Sequence, residues 1–69
     1  MEYALNGTEF IELVKLLKLA RIAESGGQAK LMVEDGEVKR NGEVELRKRA
    51  KIRAGEMIEI FGEQIRITE

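Results

Sequence analysis

Apolar residues recur along this chain with two different periods, and the change of period divides it in two. From Thr8 to about Leu19 the spacing is helical. Phe10, Leu13, Val14 and Leu17 fall at i, i+3, i+4 and i+7, Ile11 and Leu16 widen the stripe, and Glu9, Glu12, Lys15 and Lys18 take the other face. This predicts an amphipathic helix with Thr8 as N-cap, Glu9 against the helix dipole and a weak Glu12–Lys15 pair. Residues 20–24 form a short connection with Ile22 turned inward. Ser25-Gly26-Gly27-Gln28 then reads as a capping box, in which the Ser hydroxyl accepts from the Gln28 N–H and the Gln side chain reaches back. The second helix is expected from about Gly26 to Glu34, with Ala29, Met32 and Val33 inward. It stops at Asp35-Gly36, where glycine supplies the left-handed residue.

Beyond Gly36 the period drops to two. A strand runs from Val38 to Asn41-Gly42, a strong hairpin signal, and Val44 and Leu46 continue on the return side. Residues 48–54 read as an irregular basic stretch turning at Ala54-Gly55-Glu56. Met57 to Phe61 forms a strand, Gly62-Glu63 turns, and Ile65 and Ile67 alternate inward. Tyr3 and Leu5 suit a short strand at the sheet edge, and Phe10 and Phe61 read as core. The expected fold is α+β, with two N-terminal helices packed on a small, mostly antiparallel sheet in one domain spanning residues 1–69.

Composition narrows the chemistry. The 69 residues include no Cys, His, Pro or Trp. Without Cys or His there is no disulfide, no Cys/His zinc site and no cysteine or histidine catalytic pair. Asp35 is the only Asp, the Glu residues show no paired-carboxylate spacing, and no Walker loop is present. Catalytic residues, metal ligands and cofactors are therefore all expected to be none. The N-terminus lacks a charged segment followed by an apolar run, so no signal peptide is expected. Apolar runs are too short to span a membrane, and no helix sets basic residues opposite an apolar face, so no membrane role is expected. The expected location is cytoplasmic.

Net charge is −1, yet its distribution is uneven. Residues 39–53 carry seven cations (Lys39, Arg40, Arg47, Lys48, Arg49, Lys51, Arg53) against Glu43 and Glu45, whereas the remainder carries five against eleven. In an extended segment, positions 47, 49, 51 and 53 share one face, and four like charges there repel one another unless a polyanion is present. The bland alternative is pairing to Glu43, Glu45 or Glu56, worth roughly 0–1 kcal/mol per exposed pair. The start of the second helix is a further candidate anion site, with free N–H groups and two glycines that admit a close phosphate; simple capping is the competing reading.

Ser25-Gly26-Gly27-Gln28-Ala29-Lys30, then Gly36-Glu37-Val38-Lys39-Arg40-Asn41-Gly42, Glu45-Leu46-Arg47-Lys48-Arg49 and Lys51-Ile52-Arg53-Ala54-Gly55-Glu56 together resemble the S-four-type RNA-binding domain, the alpha-L RNA-binding motif named after the fourth protein of the small ribosomal subunit. The likeness spans about residues 10–60 and is nearest to the small stand-alone bacterial branch. It implies a two-helix, small-sheet RNA-binding module whose RNA-facing positions include Ser25, Gly26, Gln28, Lys30, Asn41, Arg47, Lys48 and Arg49. Lys18, Arg21, Lys39, Arg40 and Lys51 join the candidates by charge and position. The sequence departs from the family at Arg40, where an apolar residue is usual, and at Glu12-Leu13-Val14, where many members carry Arg-Leu-Asp. With Tyr3, Phe10 and Phe61 the only aromatics, no stacking platform is evident, so structured ribosomal or transfer RNA is expected to be held by shape and phosphate contacts. The competing function is a protein adaptor whose basic face docks on an acidic partner or a ribonucleoprotein. A monomer is expected.

Overall fold

A computed structural model describes all of residues 1–69. The chain runs β1 (Glu2–Ala4), β2 (Ile11–Glu12), α1 (Leu13–Leu19), α2 (Gly26–Glu34), β3 (Val38–Arg40), β4 (Glu43–Val44), β5 (Lys51–Ile52), β6 (Met57–Ile60) and β7 (Glu63–Thr68). Five strands form one sheet in the order β1-β7-β6-β3-β4, while β2 and β5 form a separate antiparallel ribbon. Only the β1–β7 edge pair is parallel. The fold is α+β, with two helices on a mostly antiparallel sheet; β1 and β2 precede the helices in the chain.

The inner face of the sheet carries Val38, Ile58, Ile60, Ile65 and Ile67, all buried, against Leu13, Leu16 and Leu17 of α1 and Ala29, Met32 and Val33 of α2. Ile22 packs at the rim of this core. The second helix has the bounds read from its capping box. Ser25 Oγ accepts from the Gln28 N–H at 3.1 Å. The Gln28 side chain takes the Glu24 N–H at 2.5 Å rather than that of Ser25.

The first helix is shorter than its apolar spacing predicts. It begins at Leu13, not Thr8, and its N-cap is Glu12, which makes no side-chain cap. Asn6-Gly7 forms a turn with both residues at positive φ, and Thr8 Oγ1 closes that turn by donating to the Leu5 carbonyl at 2.8 Å. The following residues are extended, because Ile11 pairs with Ile52 and Glu12 with Lys51. The orphan N–H groups at the start of α1 are satisfied from outside the helix: Leu13 N–H donates to the Ala50 carbonyl at 2.9 Å and Val14 N–H to the Lys48 carbonyl at 3.1 Å. An extended segment alternates its side chains, so Ile11 goes inward and Phe10 outward. Phe10 is only partly buried and stands outside the core, contrary to expectation.

Phe61 is also not core. It is 61% exposed. With Ile60 paired to Glu63, Phe61 and Gly62 form a two-residue turn at φ 50° and 78°. That turn requires positive φ at both central positions, a backbone that a bulky side chain adopts at a cost of about 1–2 kcal/mol. Phe61→Asn is expected to stabilise the protein by about 1 kcal/mol, since Asn-Gly suits this turn and little packing is lost. Urea denaturation checks this, and a lower midpoint for the variant would contradict it.

Candidate functional site

The basic segment 47–53 is not one extended strip. Residues 47–50 form a turn, closed by Ala50 N–H donating to the Arg47 carbonyl at 3.1 Å, and only Lys51–Ile52 is strand. The charge stripe expected from period-two alternation is therefore broken. All its cations but Arg53 are instead arranged around two adjoining concavities that share Arg49. The larger, about 640 Å³, lies between α1, the start of α2 and the 47–50 turn. Lys15, Lys18, Lys30, Lys48 and Arg49 line it beside Gly26 and Val14, with Glu12 the one carboxylate. The smaller, about 440 Å³, is lined by Arg40, Arg47, Arg49, Ala50 and Lys51.

The turn is held by an ionic cluster centred on Arg40. Its side chain emerges on the inner face of the sheet, in register with Ile58, and is four-fifths buried. Nε and Nη2 donate to the two carboxylate oxygens of Glu56 at 2.9 and 3.0 Å, Nη1 donates to Glu45 Oε1 at 3.2 Å, and Nη2 also donates to the Lys51 carbonyl at 2.8 Å. Each carboxylate in turn grips the backbone of the basic segment. Glu45 Oε2 accepts from the Arg47 N–H at 3.1 Å, and Glu56 Oε2 accepts from the Arg53 N–H at 2.6 Å. Residues 47, 51 and 53 are thus tied to one guanidinium.

Glu45, only 8% exposed, is the one buried charged residue. Its side chain also accepts from Arg47 Nε and Nη2, both at 3.1 Å. The Arg47 side-chain hydrogen bonds, opposed by burial and reinforced by the Arg47 N–H and by Arg40, hold the Glu45 carboxyl down at about 2. Burial works against the charge on Arg40, but hydrogen bonds to Glu56 and Glu45 outweigh it and raise its pKa. The two-residue Asn41-Gly42 turn explains why Glu45 rather than Leu46 faces inward. It sets Arg40 opposite Glu43 and Lys39 opposite Val44, which places Glu45 beside buried Val38, and Glu45 N–H donates to the Val38 carbonyl at 2.9 Å. Val44 and Leu46 are exposed.

The other members of the 47–49 run are paired as well. Lys48 meets Glu34 of α2, and Arg49 Nη2 lies 3.1 Å from Glu12 Oε2. Lys15, Lys18 and Lys30 enter no ion pair. Of the thirteen candidates, Lys18, Gly26, Lys30, Arg40, Arg47, Lys48, Arg49 and Lys51 are brought together around the two concavities. Ser25 and Gln28 serve the α2 cap beside them. Asn41 sits in the hairpin turn, its Oδ1 accepting from the Met57 N–H at 2.9 Å. Arg21 lies in the reversal after α1 at φ 61° and lines neither concavity. Lys39 lies on the outer face of the sheet, in register with Glu59, beside Glu37 and Phe61. Lys15, which lines the main groove, was legible only as one residue of the polar face of a helix. Arg53 does not line the groove; its guanidinium lies 5.6 Å from the Phe10 ring centroid.

An α+β module with a cationic groove between its helices and a basic turn defines a class, and the sequence comparisons agree on which. Residues 3–68 match the S4 domain, and the chain belongs to that family. It is 42% identical over 65 residues to a protein of Escherichia coli named "Putative RNA-binding protein YbcJ", covering 94% of this chain and 93% of that one. It is also 42% identical over 55 residues to the "Probable ribosome maturation protein RlbA" of Bacillus subtilis, covering 80% and 78%. The solution structure of E. coli YbcJ, described as revealing an alfaL motif involved in RNA-binding, superposes with a TM-score of 0.77 at 40% identity, covering 99% of this chain and 86% of that one.

The depressed pKa of Glu45 makes the stability of the fold depend on pH. A carboxyl lower in the folded than in the unfolded chain contributes stability that is complete above about 4.5 and is lost as pH falls toward about 2. Glu45→Gln should therefore be less stable than the parent at pH 7. The two should converge between about pH 4.5 and 2, as followed by urea denaturation at stepped pH. A constant difference across that window would contradict the assignment.

Proposed function

We propose that this chain is a non-catalytic module that binds structured RNA, ribosomal or transfer RNA, by phosphate and shape contacts on its basic face. The observation that carries the reading is the groove between α1 and α2, where five cations face one carboxylate. Phosphate neutralisation with release of condensed counterions supplies most of the affinity of such a surface. Arg47 and Arg49 offer planar forks to phosphate oxygens, whereas Lys15, Lys18 and Lys30 offer point charges with no carboxylate to displace. Gly26 at the start of α2 lines the same groove, so a phosphate there also meets helix N–H groups without an intervening side chain. The names of the relatives support RNA as the ligand, and that of the B. subtilis protein favours a ribosomal one. In this reading the protein is a cytoplasmic monomer associated with ribonucleoprotein, and no residue is assigned a catalytic role.

One observation favours the adaptor as a second reading. Carboxylates already occupy Arg47, Lys48 and Arg49, so these cations accept the groups an acidic protein would present.

Lys18→Glu with Lys30→Glu should lower affinity for structured RNA at least tenfold and flatten the plot of log K against log salt by about 2, leaving the far-UV spectrum unchanged. These two lysines test the groove cleanly because neither belongs to the Arg40 cluster. Unchanged RNA affinity would remove the groove from the interface. A pull-down before and after ribonuclease separates the two readings, since partners retained after digestion favour the adaptor.

A further inference from the structure

Phe10 takes no part in the hydrophobic core. It is half-buried, yet it belongs neither to the core cluster nor to the apolar residues packed against it. Its ring is instead attended by cations, with Lys51 Nζ 5.1 Å and the Arg53 guanidinium carbon 5.6 Å from the centroid. Beside it lies a concavity of about 290 Å³, with Tyr3, Leu5, Ile11 and Phe10 as its apolar lining and Thr8, Glu12 and Lys15 as its polar one. Glu12 and Lys15 also line the basic groove, so the two spaces adjoin at the start of α1.

We propose that this concavity receives a single unpaired nucleobase of an RNA lying in the groove; the proposal rests on the RNA-binding reading. Its volume is at the lower edge of small-molecule sites, which suits one planar group rather than a larger ligand. Lys51 and Arg53 lie over the ring without lining the concavity, so a base there stacks on the ring from the concavity side while its flanking phosphates meet the two cations. Glu12 supplies polar recognition. Its Oε2 is held by Arg49, which leaves Oε1 to accept from an exocyclic amino group of the base. A fully paired helix keeps its bases stacked inside and cannot fill the site, so an unpaired nucleotide is the occupant. The surface thus reads an RNA stem by its phosphates and an adjoining unpaired position by stacking.

Two RNA hairpins with the same stem test this, one fully paired and one carrying a single unpaired 2-aminopurine. The parent protein should bind the second about tenfold more tightly and quench the 2-aminopurine emission. Phe10→Leu should bind both hairpins with the affinity the parent shows for the paired one, without quenching, while Phe10→Tyr retains the preference. Thermal unfolding of Phe10→Leu should match the parent, since the ring lies outside the core. Equal binding of both hairpins by the parent without quenching would overturn the pocket and leave the RNA reading standing. An equal loss for both hairpins in Phe10→Leu would do the same. Failure of the parent to bind either hairpin would overturn the RNA reading and the pocket together.

Discussion

The basic turn depends on one largely buried guanidinium. Arg40 stands on the inner face of the sheet, where its neighbours are apolar, and a lone charge there would carry a large desolvation penalty. That penalty is offset because Glu45 and Glu56 converge on it and the Lys51 carbonyl takes a further donor. The arrangement is rigid for a geometric reason. A planar fork bound to both oxygens of one carboxylate and one oxygen of another has little rotational freedom. Both carboxylates also hold backbone N–H groups of the basic segment, so the cluster transfers the register of the sheet to residues 47, 51 and 53. The same segment is tied from the other side, where the Lys48 and Ala50 carbonyls satisfy the first N–H groups of α1. A seven-residue helix with no side-chain cap and a turn dense in positive charge thereby complete each other.

The electrostatic design is one of unequal readiness. Arg47, Lys48 and Arg49 are already engaged by carboxylates from three separate parts of the chain, whereas Lys15, Lys18 and Lys30 face the groove unpaired. Paired cations are oriented but must exchange partners to meet an anion, and free lysines attract one without that exchange. Elsewhere the carboxylates dominate: on the outer face of the sheet Lys39 stands between Glu37 and Glu59. An overall charge of −1 thus coexists with a strongly cationic side, which limits adhesion to polyanions in other orientations.

Legibility followed the range of the interactions involved. The second helix was readable to its bounds because its capping box and its Asp35-Gly36 stop act within a few residues. The Asn41-Gly42 hairpin and the inward Ile65 and Ile67 were readable for the same reason. The first helix was overextended because Phe10 and Ile11 fit a helical stripe, while pairing of Ile11–Glu12 with Lys51–Ile52, about forty residues away, makes Ile11 strand and leaves Phe10 outside the helix. Asn6-Gly7 carries the same local turn signal as Asn41-Gly42 and marks the boundary that the apolar stripe obscured. At Val44-Glu45-Leu46 hydropathy pointed the wrong way, although the register of a two-residue turn already implies an inward Glu45.

The sequence by itself determined the fold class, the capped start of α2, the hairpin and the presence of a cationic segment, since each follows from local propensity, capping or periodicity. Tertiary structure alone decided which cations share a surface. It sent Lys39 to the far face of the sheet, drew Lys15, Lys18 and Lys30 up to Lys48 and Arg49, and brought Phe10 out beside Lys51 and Arg53. The reason is that these placements depend on pairing between residues distant in the chain. The closure of Glu56 on Arg40, sixteen residues away, and a two-strand ribbon joining residues 11–12 to 51–52 have no signature within any short window of sequence.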